Sequence, residues 1–289
     1  MKTIVITTDF SDGSKQAVRY GFELARQLKA NITLCNAMII PAEIPQTGFV
    51  GWPPNIFEEL MNDSAKELNT LKEGLLADGP MPGQFKPVIT CVSQPGTVCD
   101  VVSQAVDLQV TELVVLGAHQ KEGIGQWLIG NHTQRIIDTS NIPLLLVSTE
   151  IPFKKIKKIA FATDFSHLQD DLNCIRKLIT IAEPLNAGIL LVHVNNEKHS
   201  TVQLQHYLDE VLQELSKKLG YKNMEYKLIK DSRAVAGMDW LSKEGDIDML
   251  AMVHRAHGFF AGLLKGSHTQ KMAGHIHIPL LIFSDTLSV

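Results

Sequence analysis

No apolar run in the 289 residues approaches the roughly 20 that a membrane-spanning helix needs. The opening Met1-Lys2-Thr3-Ile4-Val5-Ile6 turns polar too soon for a secretory signal. Cysteine is scarce: Cys35, Cys91, Cys99 and Cys174 form no C-x-x-C pair, and three of them sit in apolar patterns. That usage excludes a redox pair and predicts buried thiols in a reducing compartment, hence a cytoplasmic protein without a membrane partner. Charge of one sign is lacking too, because the net charge is -4 and the basic stretch Lys154–Lys158 is short and local. A nucleic-acid partner is therefore not expected. With 45% hydrophobic and 20% charged residues, the chain has the composition of a folded domain rather than a disordered one.

Catalytic motifs are missing as well. There is no G-x-S-x-G, no H-E-x-x-H and no G-x-x-x-x-G-K-[ST]. Where a dinucleotide fingerprint would follow the first strand stands Asp9-Phe10-Ser11-Asp12-Gly13, which excludes a dehydrogenase of that type. The histidines His254, His257, His268, His275 and His277 cluster in the sequence without the convergent third and fourth ligands a zinc site requires, so no metal site is assigned.

The chain repeats itself. Ile4–Ser11 recurs as Ile159–Ser166 at an offset of 155, and Gly130–Ile136 recurs as Gly266–Met272 at an offset of 136. Ile142-Pro143-Leu144-Leu145-Leu146-Val147-Ser148 matches Ile278-Pro279-Leu280-Leu281-Ile282-Phe283-Ser284 at that second offset. The first copy therefore carries 19 extra residues, and the proline-rich stretch Pro41–Asn62 is where they are expected. Two domains follow, residues 1–150 and 151–289.

Strand and helix signals alternate in each copy. Copy one reads as strands Thr3–Thr8, Asn31–Ala37, Pro87–Val92, Glu112–Gly117 and Leu144–Ser148. Its helices are expected over Gly13–Lys29, Ile56–Leu76, Val98–Leu108 and Thr133–Thr139. Copy two repeats the strands as Lys158–Thr163, Gly188–Val194, Met224–Lys230, Met249–Val253 and Leu280–Ser284. Near-continuous apolar strands between amphipathic helices predict an α/β fold with a five-stranded, doubly wound parallel sheet in each copy.

In such a sheet, ligands bind beyond the carboxyl ends of the strands. Thr8 and Asp9 end the first strand, where the carboxylate either accepts hydrogen bonds from a ribose or adenine amino group or caps the first helix. The second candidate is the loop from Gly117-Ala118-His119-Gln120 through Gly130-Asn131, whose glycines either admit an anion or make ordinary turns. Gly123 and Gly125 are assigned to the turn.

Thr8-Asp9-Phe10-Ser11, its repeat Thr163-Asp164-Phe165-Ser166, the glycine loop and the Ile-Pro-Leu-Leu strand together resemble the universal stress protein family over nearly the whole chain, twice. The resemblance implies Rossmann-like domains whose last strands pair as an internal pseudo-dimer. It also implies an adenine nucleotide, ATP or AMP with Mg, held in copy one by Thr8, Asp9, Ala37, Gly117, His119, Gly130, Asn131 and His132. The family's loop G-x2-G-x9-G-[ST] is incomplete in both copies. Gln120 and Asn131 depart from it in copy one. In copy two Val253 and Ala256 replace glycines while Gly266-Ser267 is kept, and no site is expected there. The function implied is a stress-response regulator rather than an enzyme. Alternatives are a scaffold acting through protein partners or self-association, with Phe49, Trp52 and Phe57 of the insertion as contacts, or a weak ATP hydrolase.

Overall fold

The computed structural model describes residues 1–38, 56–77, 79, 83–120, 127–128, 135–138, 140–163, 168–195, 206, 210, 217–230, 234–255 and 278–284. Copy one contains β1 (Thr3–Thr7), α1 (Asp12–Leu28), β2 (Asn31–Met38), α2 (Ile56–Ala77), β3 (Ile89–Pro95), α3 (Val98–Ala105), β4 (Thr111–Gln120), β5 (Trp127–Leu128) and β6 (Leu144–Ser148). Copy two contains β7 (Lys158–Ala162), α4 (Leu168–Leu185), β8 (Gly188–Asn195), β9 (Met224–Lys230), α5 (Ala234–Glu244), β10 (Met249–His254) and β11 (Leu280–Ser284). The insertion aromatics Phe49 and Trp52 lie outside the described residues, as do Gly123, Gly125 and the whole of Gly130-Asn131-His132.

Local chemistry sets the helix limits. Ser11, in extended backbone, accepts the Ser14 N–H and starts α1. Lys29 ends it in the left-handed region at φ 52°, its N–H returning to the Ala25 carbonyl. Between these caps Ala17, Val18, Gly21, Leu24, Ala25 and Leu28 form the buried face. Thr97 and Asp100 make a reciprocal capping box that opens α3. Those two hydrogen-bond contacts from Thr97 hold the Asp100 carboxyl below the usual carboxylate range.

All strands lie in one sheet of order β3-β2-β1-β4-β6-β11-β10-β7-β8-β9, with β5 paired to β4 off this path. Within each copy the five main strands are parallel. The copies meet where β6 and β11 pair antiparallel, Leu146 opposite Leu280 and Leu144 opposite Ile282. This is the pseudo-dimer. The order is symmetric about that seam, so each copy crosses over once, between β1 and β4 and between β7 and β10. Connecting residues also dock: Tyr20 stacks edge-on against Phe153 at 5.0 Å, and Gln16 Nε2 donates to the Ile151 carbonyl at 2.8 Å.

Two strands run three residues past the sequence expectation. β3 runs on through Ser93-Gln94-Pro95, because Asn36, Ala37 and Met38 supply partners for residues too polar to read as a buried strand. β4 continues to Gln120, because His119 and Gln120 pair with Leu128 and Trp127. The segment expected to be loop from Gly117 onward therefore begins as a hairpin.

Burial pushes the Cys35 thiol from its ordinary value near 9 up to about 12, with nearby Cys91 adding to the rise, and burial raises the Tyr20 phenol too. A group that keeps its proton longer when folded favours the native state up to its unfolded pKa and withdraws that support above it. Stability should therefore fall above about pH 9, at up to about 1.4 kcal/mol per pH unit for each such group. Urea titrations across pH 8 to 11 check this, and Cys35→Ala should flatten the alkaline slope.

Candidate functional site

The crossover of copy one brings the ends of β1, β2 and β4 to one edge of the sheet, with Thr8, Asp9, Ala37 and Gly117 on it. Thr8 is buried, and its hydroxyl meets the Ser14 hydroxyl at 3.0 Å and accepts the Phe10 N–H at 3.0 Å. Phe10 takes φ 64°, a left-handed conformation uncommon for a non-glycine residue, and this turns the chain from β1 into α1. Asp9 is exposed, and its Oδ1 accepts the Ser11 N–H at 3.1 Å and the Ser11 hydroxyl at 2.5 Å. The carboxylate thus steadies the residue that caps α1. With Asp9 and Asp12 both at this terminus, the positive end of α1 is already supplied with negative charge.

Behind this edge runs a buried polar chain that sequence reading did not single out. Asn36 Nδ2 donates to the Thr8 carbonyl at 2.8 Å, Ser64 Oγ donates to Asn36 Oδ1 at 2.8 Å, and Ser64 and Ser93 hydroxyls meet at 2.6 Å. Four elements, β1, β2, α2 and β3, are tied together behind the edge, each buried polar group answered by another.

Gly117 has a packing role. A Cβ there would stand 3.0 Å from Ser14 Cα and 3.3 Å from the Gly13 carbonyl oxygen, so the glycine lets α1 press its first turn onto β4. His119 is placed on β4 rather than in a loop.

Copy two is built differently at the same place. The left-handed C-caps Lys29 and Asn186 are 157 residues apart, which sets Ser14 against Asp171 and Asn36 against His193. The β6/β11 equivalence sets Gly117 against Val253, Ala118 against His254 and His119 against Arg255. His193 keeps the duty of Asn36, its Nδ1 lying 3.0 Å from the Thr163 carbonyl. Asp171 binds the Thr163 hydroxyl and also accepts Arg255 Nη2 at 2.6 Å, the two side chains 1% and 9% exposed. Arg255 Nε has no partner among the described residues. Next to it, His254 Nε2 lies 2.9 Å from Asp138 Oδ1, an atom of the helical segment 135–138 in copy one. An internal ion pair and a link to the other copy occupy the crossover edge where copy one has Ser14, Gly117 and Ala118. A two-residue shift between strand and helix offsets was the signal available for Asp171. Nothing local marks Arg255, which meets its partner 84 residues away.

The sequence model of the universal stress protein family matches residues 1–148 and again 155–284. The chain belongs to the universal stress protein family. A universal stress protein of Methanocaldococcus jannaschii is 25% identical over 146 residues, covering 50% of this chain and 81% of that protein. Among solved structures, a universal stress protein of Archaeoglobus fulgidus superposes with a TM-score of 0.71 at 11% identity, covering 98% of both chains. A protein of unknown function from Pseudomonas aeruginosa gives a TM-score of 0.57 at 12% identity, over 99% of this chain and 94% of that one. At these identities the two structures speak to the tandem fold alone. As a universal stress protein with two copies, the chain builds its two crossover edges differently. Among the described residues no helix is long and apolar enough to cross a membrane.

Two substitutions report on these edges. Gly117→Val should force α1 away from β4 and cost about 1–3 kcal/mol in denaturant unfolding. Arg255→Met, which leaves the Asp171 carboxylate buried without its cation, should cost about 3–5 kcal/mol, and adding Asp171→Leu should recover most of that loss.

Proposed function

We propose that this universal stress protein is a stress-response regulator that takes up an adenine nucleotide, ATP or AMP with Mg, at the crossover edge of copy one. Copy two serves it as a non-binding structural partner. The observation that supports the reading most is the contrast between the two edges. Copy one sets the small residues Ser14, Ala37 and Gly117 beside the exposed carboxylate Asp9, whereas copy two has the buried Asp171–Arg255 pair at the positions of Ser14 and His119.

The charge at the α1 terminus favours one orientation. Asp9 accepts hydrogen bonds, so it suits the donor groups of a nucleoside, a ribose hydroxyl or the adenine amino group. A phosphate placed beside Asp9 and Asp12 would meet like charge. The phosphates therefore belong with Gly130, Asn131 and His132, the segment that follows the β4–β5 hairpin. Mg would arrive with the phosphates, since the described residues hold no group of three His, Cys, Asp or Glu side chains suited to a metal ion. In this reading the protein binds and responds, and no residue is assigned a catalytic role.

Small molecules released from freshly purified protein, identified by mass spectrometry, should include an adenine nucleotide, and calorimetry with Mg-ATP should show one site per chain. Asp9→Ala should weaken that binding by about tenfold, the cost of one hydrogen bond to a charged acceptor. Protein that is recovered empty and gives no heat with millimolar Mg-ATP sinks the nucleotide reading.

A further inference from the structure

Away from the crossover edges, α1 and α2 lie side by side on one face of copy one and leave a trough of about 470 Å³ between them. Its floor is apolar, made by Val18 and Phe22 of α1 and by Leu71 and Leu75 of α2. Its α1 wall carries Lys15, Arg19 and Arg26 against a single carboxylate, Glu23. Arg26 is held in place, by Glu23 Oε1 at 3.0 Å, by Gln84 and by the Phe22 ring at 5.4 Å. The Lys15 and Arg19 side chains have no partner among the described residues. In a chain of net charge -4, this is a local excess of cations beside the half-buried Leu71 and Leu75.

The α2 wall contains Gly74, in the last turn of a 22-residue helix. A Cβ at Gly74 would meet nothing within 4 Å, so no contact inside the chain calls for glycine there. Glycine is the poorest helix former after proline. What it permits is close approach by another backbone, which argues for a polypeptide occupant.

The opposite end of the same helix has the complementary chemistry. Phe57 and Leu60, one turn apart, are 46% and 44% exposed, two of the six large apolar side chains so exposed among the described residues. Around them stand the exposed carboxylates Glu58, Glu59 and Asp63, with no base on α2 before Lys66. Leu60 and Asp63 fall on the helical stripe that continues through Thr70 and Gly74. We propose that the occupant is a second copy of this chain, which lays the acidic, apolar first half of its α2 into the trough. Residues 57–63 and 70–75 lie about equally far from the middle of α2. One antiparallel pairing of two α2 helices therefore fills both troughs at once and closes as a two-fold dimer. Carboxylates of each copy face Lys15 and Arg19 of the other, while Leu60 meets Leu71 and Leu75. This surface is separate from the β6–β11 seam and does not depend on nucleotide binding.

Sedimentation equilibrium of the full-length protein tests it. A reversible monomer–dimer equilibrium is expected, weakened by added NaCl because the paired charges are exposed. Arg19→Glu and Asp63→Arg should each raise the dimer dissociation constant by about tenfold, and the double variant should restore it, since the charges are exchanged rather than lost. Gly74→Leu, where the helix has open space, should leave the fold intact and abolish the dimer by filling the trough. A chain that stays monomeric at all concentrations overturns the proposal. So does a dimer indifferent to Arg19→Glu and Gly74→Leu, or one that both single reversals weaken and the double fails to restore.

Discussion

The antiparallel pairing of β6 with β11 is the interaction on which the rest of the molecule depends. Leu144 to Val147 are buried throughout, and so are Leu280 to Phe283. Unpaired, each of these strands would be an apolar sheet edge, the kind of surface that recruits other chains. Joined, they become the centre of one continuous sheet, and the two copies supply each other's missing neighbour. The covalent connection makes this pairing intramolecular, so it does not wait on protein concentration. The connecting residues are part of the core, with Ile151 and Ile156 buried and Phe153 stacked on Tyr20. Because α1 contributes both Tyr20 and the turn that carries Asp9, the seam and the crossover edge of copy one share an element.

Fixing the copies in this way leaves two crossover edges on a common frame, and they have gone separate ways. In copy one the hydroxyl of Ser14 is enough to satisfy Thr8, and a glycine opposite admits the helix. In copy two the longer Asp171 answers Thr163 and needs a cation, which Arg255 provides from the end of β10. A buried pair of this kind contributes little net stability, since the loss of hydration offsets most of the attraction. Its effect is to commit the space. His254 adds a contact to Asp138, so the second edge is also tied to the helix that follows the glycine segment of the first copy.

Much of this architecture is legible in the sequence, for reasons that particular residues make plain. β6, β9 and β11 begin and end where expected, β6 and β11 because an Ile-Pro pair fixes the start of an unbroken apolar run. α1 is legible from Ser11 and from its apolar stripe. The extension of β3 is not, because Ser93 and Gln94 look like loop until Asn36 and Ala37 are seen beside them. The site is less legible than the fold. Gly117 reads as part of a phosphate-binding loop, yet its nearest neighbours are the backbone atoms of α1, a contact across 103 residues. Asp171, Arg255, His254 and Asp138 meet only through tertiary structure, and no local pattern announces them.

The self-capped α1 terminus constrains how a nucleotide can lie on the proposed site. In many α/β proteins the helix after the first strand turns its free N–H groups toward a phosphate. Here Ser11 takes the Ser14 N–H, Thr8 takes the Phe10 N–H, and Asp9 and Asp12 supply the negative charge. A phosphate there would meet two carboxylates that repel it. On the proposed reading, binding divides between two elements, the donor groups of the nucleoside near Asp9 and the phosphates near the segment after β5. On the same reading, copy two would do without a site and keep the fold. Its Asp171–Arg255 pair fills the edge from within, and the sheet order beneath matches that of copy one.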